Sequence, residues 1–407
     1  MFDPQLIRAD FPALESGLAY FDAPGGMLVP SQIALAMRDA VTRPTSSQYA
    51  LLDGRRTADA VAGFRQAVAD LVGADPAGVV HGRSATALTF DFARTLSTQW
   101  AAGDNIVLSE LEHDSNATPW VLAAERAGVS VRWAGFDIAT GELPVEQYDE
   151  LIDDRTRLVA VTAASNLIGT QPDIAAIAAK AHAHGAMLYV DGVHFTSHAG
   201  VDVSVLGADF FTFSPYKLFG PHFGVLVASP SVLETLHPDK LLPSPEAVPL
   251  RFELGTLPYE MLAGFTASVE YLASLSSVHT GSRRDRVLAA MHEIEIHEAS
   301  ILARLEAGLK EMPHVTRYSR AQKRTSTTLI SIDGYADADV LEGLLQRGVV
   351  AQVGNFYAQR ATVKLGLGEQ GGLRIGLAPY NTDAEIGRLL DALAEVAPPK
   401  RSGVELG

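Results

Sequence analysis

Ala208-Asp209-Phe210-Phe211-Thr212-Phe213-Ser214-Pro215-Tyr216-Lys217-Leu218-Phe219-Gly220-Pro221 reads as an apolar strand that breaks into a Ser/Pro/Gly loop. Upstream, Ala186-Met187-Leu188-Tyr189-Val190-Asp191-Gly192-Val193-His194 is a second apolar strand, and it ends in an acid. Runs that are apolar throughout, rather than alternating, belong to a mostly parallel sheet covered on both faces. Such sheets bind ligands beyond the carboxyl ends of their strands, where Lys217 and Asp191 both fall. A lysine amine there can form a Schiff base and an aspartate can hold a pyridinium nitrogen, which is the protein equipment for pyridoxal 5'-phosphate. The ordinary fates of these residue types are a surface lysine and a turn or cap aspartate. The flanking Phe210–Phe213 run and Gly220-Pro221 favour the chemical reading for Lys217, and Lys217 in turn favours it for Asp191.

Working outward, short apolar strands are expected at 79–81, 105–108, 129–133, 158–162, 187–190, 210–213 and 224–228. Helical or turn segments separate most of them, including a helix at 87–100. The expectation is an α/β fold with a mostly parallel, mixed seven-stranded sheet in a large domain, 15–275. A smaller α+β C-terminal domain, 276–407 together with 1–14, follows from a long helix at 282–312, strands at 327–332, 349–353 and 372–376, and helices at 338–346 and 382–396. Earlier helices are expected at 32–41, capped by Ser31, and at 57–72, with one more at 256–275. The tail from Pro398 reads as loose.

With 407 residues, two domains are the prior. A hydrophobic content of 47% with 20% charged residues describes a globular chain. The net charge of −16 argues against a nucleic-acid binder, which needs a basic face. No apolar run reaches the ~18 residues of a membrane span, and the start lacks the regions of a signal peptide; a cytoplasmic location is the expectation. Cysteine is absent, which removes disulfides, thiolate metal sites and a cysteine nucleophile. No Gly-x-Gly-x-x-Gly follows the first strand, so a nucleotide-binding dehydrogenase is disfavoured.

The motifs Glu112-His113, Ser165-Asn166-x-x-Gly169, Val190-Asp191-Gly-x-His194, Ser214-x-x-Lys217-x-x-Gly-Pro221, Gly255-Thr256 and Arg374-x-x-x-Ala-x-Tyr-Asn-Thr382 are individually weak. In this order and spacing they resemble the class V aminotransferase superfamily of fold-type-I pyridoxal phosphate enzymes, nearest its cysteine desulfurase and selenocysteine lyase group. The resemblance runs from Ala19 to Thr382. It implies that Lys217 is the Schiff-base lysine and that Asp191 holds the pyridine nitrogen. His113 would stack on the cofactor ring, while His194 and Asn166 would contact its O3' oxygen. Ser84, Ala85 and Thr86 at a helix start, with Ser214, would cradle the phosphate. Tyr216 joins the cofactor set, standing where desulfurases usually have histidine. Thr256 would complete the phosphate site of a neighbouring subunit, implying a homodimer. Arg374 would grip the substrate α-carboxylate with its planar fork.

The departures lie on the substrate side. Tyr357 aligns with the mobile cysteine of desulfurases, and Gln352 stands where relatives often carry a second arginine. A cysteine persulfide is therefore impossible in this chain. The reading is a pyridoxal phosphate enzyme acting at Cα of an amino acid, an aminotransferase first. The alternatives are a Cβ–S or Cβ–Se lyase working without a protein thiol, an amino-acid epimerase, and a non-enzymatic scaffold or regulator on the same fold. Segments 43–56 and 351–365 are the expected specificity loops. His292 and His297 mimic a zinc motif, but five residues of helix set them about 140° apart, so they read as surface residues rather than ligands.

Overall fold

The computed structural model describes residues 2–42 and 54–399. The expected specificity segment 43–56 therefore falls largely outside the described residues, as does most of the tail.

Seven strands form the main sheet: β1 (Val79–Gly82), β2 (Asn105–Ser109), β3 (Ser130–Ala134), β4 (Thr156–Thr162), β5 (Met187–Asp191), β6 (Phe210–Phe213) and β7 (Gly224–Ala228). Their order is β1-β7-β6-β5-β4-β2-β3. All run parallel except β7, which is antiparallel to both its neighbours. The sheet is mostly parallel, mixed and seven-stranded, as the apolar runs imply.

Period-two side-chain alternation sends each strand into two cores. Val159, Val161, Leu188, Val190, Phe211 and Phe213 pack on one face. Leu158, Ala160, Tyr189, Phe210 and Leu226 pack on the other. Removing each large side chain from water contributes about 2 kcal/mol. Covering both faces leaves only the strand ends open, so polar side chains gather there.

A second sheet has four strands: β8 (Val315–Arg317), β9 (Thr327–Ile332), β10 (Gln352–Gly354) and β11 (Gly372–Gly376), in the order β10-β11-β9-β8. The expected single strand at 349–353 is in fact two. Val349–Val350 pairs in parallel with Ala19–Tyr20, whereas Gln352–Gly354 pairs with β11. The chain changes sheets at Ala351, so no single apolar run describes it. A third core joins Ala19 and Phe21 to Ile330, Ile375, Leu377 and Leu389. The long helix Arg283–Lys310 touches two cores, with Met291 and Ile294 in the first and Ile301 and Leu305 in the third.

Three helix expectations need correction. Ser31 is the first residue of the helix Ser31–Val41, not its cap; Pro30 occupies the cap position without a side-chain bond. The helix expected at 87–100, here α1, spans Ala85–Ser97 because Ser84 caps it by accepting from Ala87 N–H. The helix expected at 256–275 is Tyr259–Ser274, which leaves Thr256 outside it in an exposed bend.

Candidate functional site

A cavity of about 290 Å³ opens where the carboxyl ends of the sheet meet α1, the Phe356-Tyr357 loop and β11. It brings together Ala85, Thr86, His113, Asn166, Asp191, His194, Ser214, Tyr216, Lys217 and Arg374. Of the residues expected to hold cofactor or substrate carboxylate, only Thr256 lies elsewhere.

Lys217 ends the short 3-10 turn Pro215–Lys217 after β6 and is buried. Its Nζ donates to the carbonyl of Pro24, in the turn Asp22-Ala23-Pro24-Gly25-Gly26. Burial, with the Arg374 charge second, lowers the amine to about 7, while Asp22 and Asp191 pull the other way. An amine so placed is substantially neutral near pH 7, and a neutral amine is the nucleophile.

Asp191 is the last residue of β5, and its Oδ1 accepts from Val193 N–H at 2.8 Å. Burial pushes the carboxyl up to about 6, against that backbone bond and the Lys217 charge. A buried carboxylate with one backbone donor is best satisfied by a cation docked against it.

His113 uses its ring as a local acceptor, taking the Ser115 N–H at 3.0 Å. Burial lowers it to about 4, with help from the charges on Lys217 and Arg374, so the ring facing the cavity is uncharged. His194 lies deeper, with Nε2 at 2.9 Å from Thr325 Oγ1 and 3.1 Å from Thr327 Oγ1. Burial drives it well below the usual histidine range. Asn166 donates from Nδ2 to the Phe356 carbonyl.

The N-terminus of α1 faces the cavity through Ser84, Ala85 and Thr86. First-turn N–H groups and the positive dipole end make such a helix start an anion cradle. Gly224 of β7 packs directly behind it, where a Cβ would overlap the Ser84 and Ala85 backbone. Ser214 precedes the Lys217 turn without forming a side-chain cap, which leaves its hydroxyl free of that duty.

Arg374 on β11 is 3 % exposed. Nη2 donates to Asp22 Oδ1 at 2.9 Å, Nη1 donates to the Asn166 carbonyl at 3.1 Å, and the guanidinium lies 3.6 Å from the Phe356 ring centroid. Sequence reading missed both Asp22 and Phe356. The run Asp22-Ala23-Pro24-Gly25-Gly26 reads locally as a turn, but a pairing across 352 residues leaves no local signal. The signal for Phe356 is its backbone: Phe356 and Tyr357 have φ of 51° and 58°, a left-handed pair that bulky residues adopt only when the surroundings impose it. Tyr357 itself is 71% exposed and its ring lies 5.3 Å from that of His113. Gln352 sits opposite Arg374 in the β10–β11 register and is exposed.

Tyr216 stacks on His222 at 4.7 Å and 7°. His182 and His184 pair with Asp209 and Asp154 at the end of their helix. His292 is exposed, but His297 is half-buried against the Asn381 carbonyl, which corrects its reading as a surface residue. Among the described residues no cluster of His, Cys, Asp or Glu could hold a metal ion, and no helix is long and apolar enough to cross a membrane.

A lysine and an aspartate at adjacent strand ends, facing a helix N-terminus and a buried arginine, define the class, and the comparison with known proteins agrees: the chain belongs to the class-V aminotransferase family, whose model matches residues 19–389. Members of that family are pyridoxal phosphate-dependent enzymes acting on amino acids, and this chain is such an enzyme, an aminotransferase or lyase. Among its relatives are an uncharacterized protein of Mycobacterium tuberculosis, 34% identical over 97% of this chain and 99% of the other, and a probable cysteine desulfurase of Pseudomonas putida, 31% identical over 97% and 98%. The solved structure of the cysteine desulfurase CsdA from Escherichia coli superposes with a TM-score of 0.86 at 27% identity, covering 97% and 98% of the two chains.

The cavity fits the family's cofactor on its own terms. Its wall carries buried polar atoms that find no partner among the described residues, namely His194 Nδ1, Asn166 Oδ1 and Arg374 Nε. A polar, phosphorylated ring compound answers them, whereas an apolar ligand would leave them unpaired.

Proposed function

We propose that this protein binds pyridoxal 5'-phosphate at Lys217 and transfers the amino group of an amino acid, yielding a keto acid. The observation that supports this most is the meeting, in one cavity, of a buried amine lowered to about 7 and a buried carboxylate. Bound there, the cofactor supplies an electron sink for the bond broken at the substrate's Cα.

The chain's own residues do the rest. Asp191 holds the ring nitrogen in its protonated form by a charge-assisted bond. The N–H groups of Ala85 and Thr86, with the Ser214 hydroxyl, take the phosphate. The uncharged His113 ring covers one face, and Asn166 and His194 orient the ring oxygen. Arg374 grips the substrate carboxylate, and Tyr216 closes the wall beside Lys217. As a free amine, Lys217 would take the proton from Cα and deliver it to the cofactor's C4' carbon, the transfer that transamination needs.

Thr256 and its neighbours Leu254 and Gly255 are exposed in the single chain. In this reading they face a second copy, and the protein is a homodimer in which Thr256 completes the partner's phosphate site. The reading also keeps the division into a large domain, 15–275, and a small one, 276–407 with 1–14, and a cytoplasmic location.

The second reading is a Cβ–S or Cβ–Se lyase without a protein thiol, favoured by the likeness to cysteine desulfurases; epimerisation would use the same residues. Purified protein loaded with the cofactor is mixed with a panel of amino acids, and products are identified. A keto acid with pyridoxamine phosphate supports transamination. Pyruvate or alanine with a sulfur product sinks it in favour of the lyase.

A further inference from the structure

Behind the cavity wall lies a buried polar chain of which only His194 reaches the cavity. His194, His198 and Glu298 are each 3% exposed. His198 Nδ1 is 2.7 Å from Glu298 Oε2, and Ser326 donates to the same oxygen at 2.7 Å. The His194 and His198 rings meet edge to face with centroids 4.7 Å apart. Thr325 and Thr327, on either side of Ser326 in sequence, hold His194 Nε2. One three-residue segment at the start of β9 thus grips both ends of the chain. Glu298 comes from the long helix Arg283–Lys310, far from the strand end that carries His194.

Three of its atoms find no partner among the described residues: His194 Nδ1, His198 Nε2 and Glu298 Oε1. Burying an acid and two imidazoles incompletely satisfied is costly and serves packing poorly. Which nitrogen of an imidazole carries the proton is set by the bond its other nitrogen makes. A carboxylate oxygen only accepts, so Glu298 holds a proton on His198 Nδ1 and fixes that ring's orientation against His194.

We infer that Glu298 and His198 are positioning residues that set the ring orientation of His194, and through it the hold on the cofactor. The inference rests on the proposed reading of the cavity as the pyridoxal phosphate site. The removal of one such hydrogen bond corresponds to about a five-fold loss of affinity.

The test compares wild type, E298A and E298Q. In cofactor-free protein labelled with 15N-histidine, the His194 ring nitrogens, assigned by their loss in H194Q, report the surroundings of that ring. Pyridoxal phosphate affinity is read by titrating the visible band of the lysine-bound cofactor. E298A is expected to move the His194 signals and weaken affinity about five-fold, and E298Q, whose amide oxygen can still accept from His198, to restore both. A folded E298A with wild-type His194 signals and affinity overturns the inference. Should E298A fail to fold, S326A, which withdraws the other donor to Glu298, is read in the same way. Failure of the cofactor reading is distinguishable, because wild type itself would then show no band.

Discussion

Arg374 and Asp22 form a buried ion pair at 2.9 Å, joining β11 to the turn that also offers the Pro24 carbonyl to Lys217. The candidate carboxylate-binding arginine is therefore held by the protein's own residues. Its guanidinium is fixed on one edge by Asp22, on another by the Asn166 carbonyl, and on its face by Phe356. A fork so constrained gives up little freedom when it binds a carboxylate.

Asp22→Ala would leave Arg374 buried without a counter-charge. Breaking one side of a buried pair costs about 3 kcal/mol, and urea unfolding of D22A is expected to show a loss of that order. Asp22→Asn, which keeps an acceptor for Nη2, is expected to lose less. Equal midpoints for D22A and wild type would mean that the pair does not form in solution.

Lys217 predicts a pH dependence with a definite sign. Its folded value is lowered to about 7, whereas an unfolded lysine titrates near 10.4. Between those values the unfolded chain binds a proton that the folded chain does not, so stability rises with pH across that window. Below about 7 both states are charged and the burial penalty is fully present. Denaturation of cofactor-free protein from pH 7 to 10 is expected to show this rise, and Lys217→Met to flatten it. Lys217→Met should also abolish the visible band of the lysine-bound cofactor; a variant that keeps the band would end the assignment of this lysine.

At Gly224 a methyl group is expected to be felt in the candidate site as well as in stability. Gly224→Ala would push a Cβ into the Ser84 and Ala85 backbone from behind. Backbone cannot yield as a flexible side chain does, so overpacking here costs about 2 kcal/mol and displaces the first turn of α1. The expected result is a lower melting temperature together with weaker pyridoxal phosphate binding. If melting alone shifted and binding did not, the α1 N-terminus would not be the phosphate cradle.

How much of this was legible in the sequence follows the range of the interactions. Phe210–Phe213 and Gly224–Ala228 stand out because burial on both faces writes a near-continuous apolar run, whereas Gly372–Gly376, equally buried, carries Arg374 at its centre. Lys217 and Asp191 stand out because polar residues directly after such runs occupy the open edge of the sheet. The place of β7 beside β1 could not be read, since that pairing joins segments more than 140 residues apart. Asp22 and Phe356 were missed for the same reason, as their role exists only once β11 brings Arg374 between them. The break at Ala351 was hidden because Val349, Val350 and Val353 are equally apolar whichever sheet they enter.

The proposed dimer makes a prediction that a monomeric reading cannot share. Thr256 lies outside the cavity of its own chain and is exposed. If it completes the partner's phosphate site, Thr256→Asp sets a negative charge against a phosphate, and cofactor affinity is expected to fall about ten-fold or more. Lys217→Met inactivates a site through the other chain. Unfolding and refolding the two variants together in equal amounts would make half of the dimers mixed. Each mixed dimer has one doubly defective site and one intact site, so about a quarter of the wild-type activity should return. Neither variant alone should show it. Refolded mixtures no more active than the sum of their parts, from protein that sediments as a dimer, would place Thr256 outside the partner's site. A monomer by sedimentation, with T256D binding the cofactor as wild type does, would remove the second subunit from the mechanism altogether.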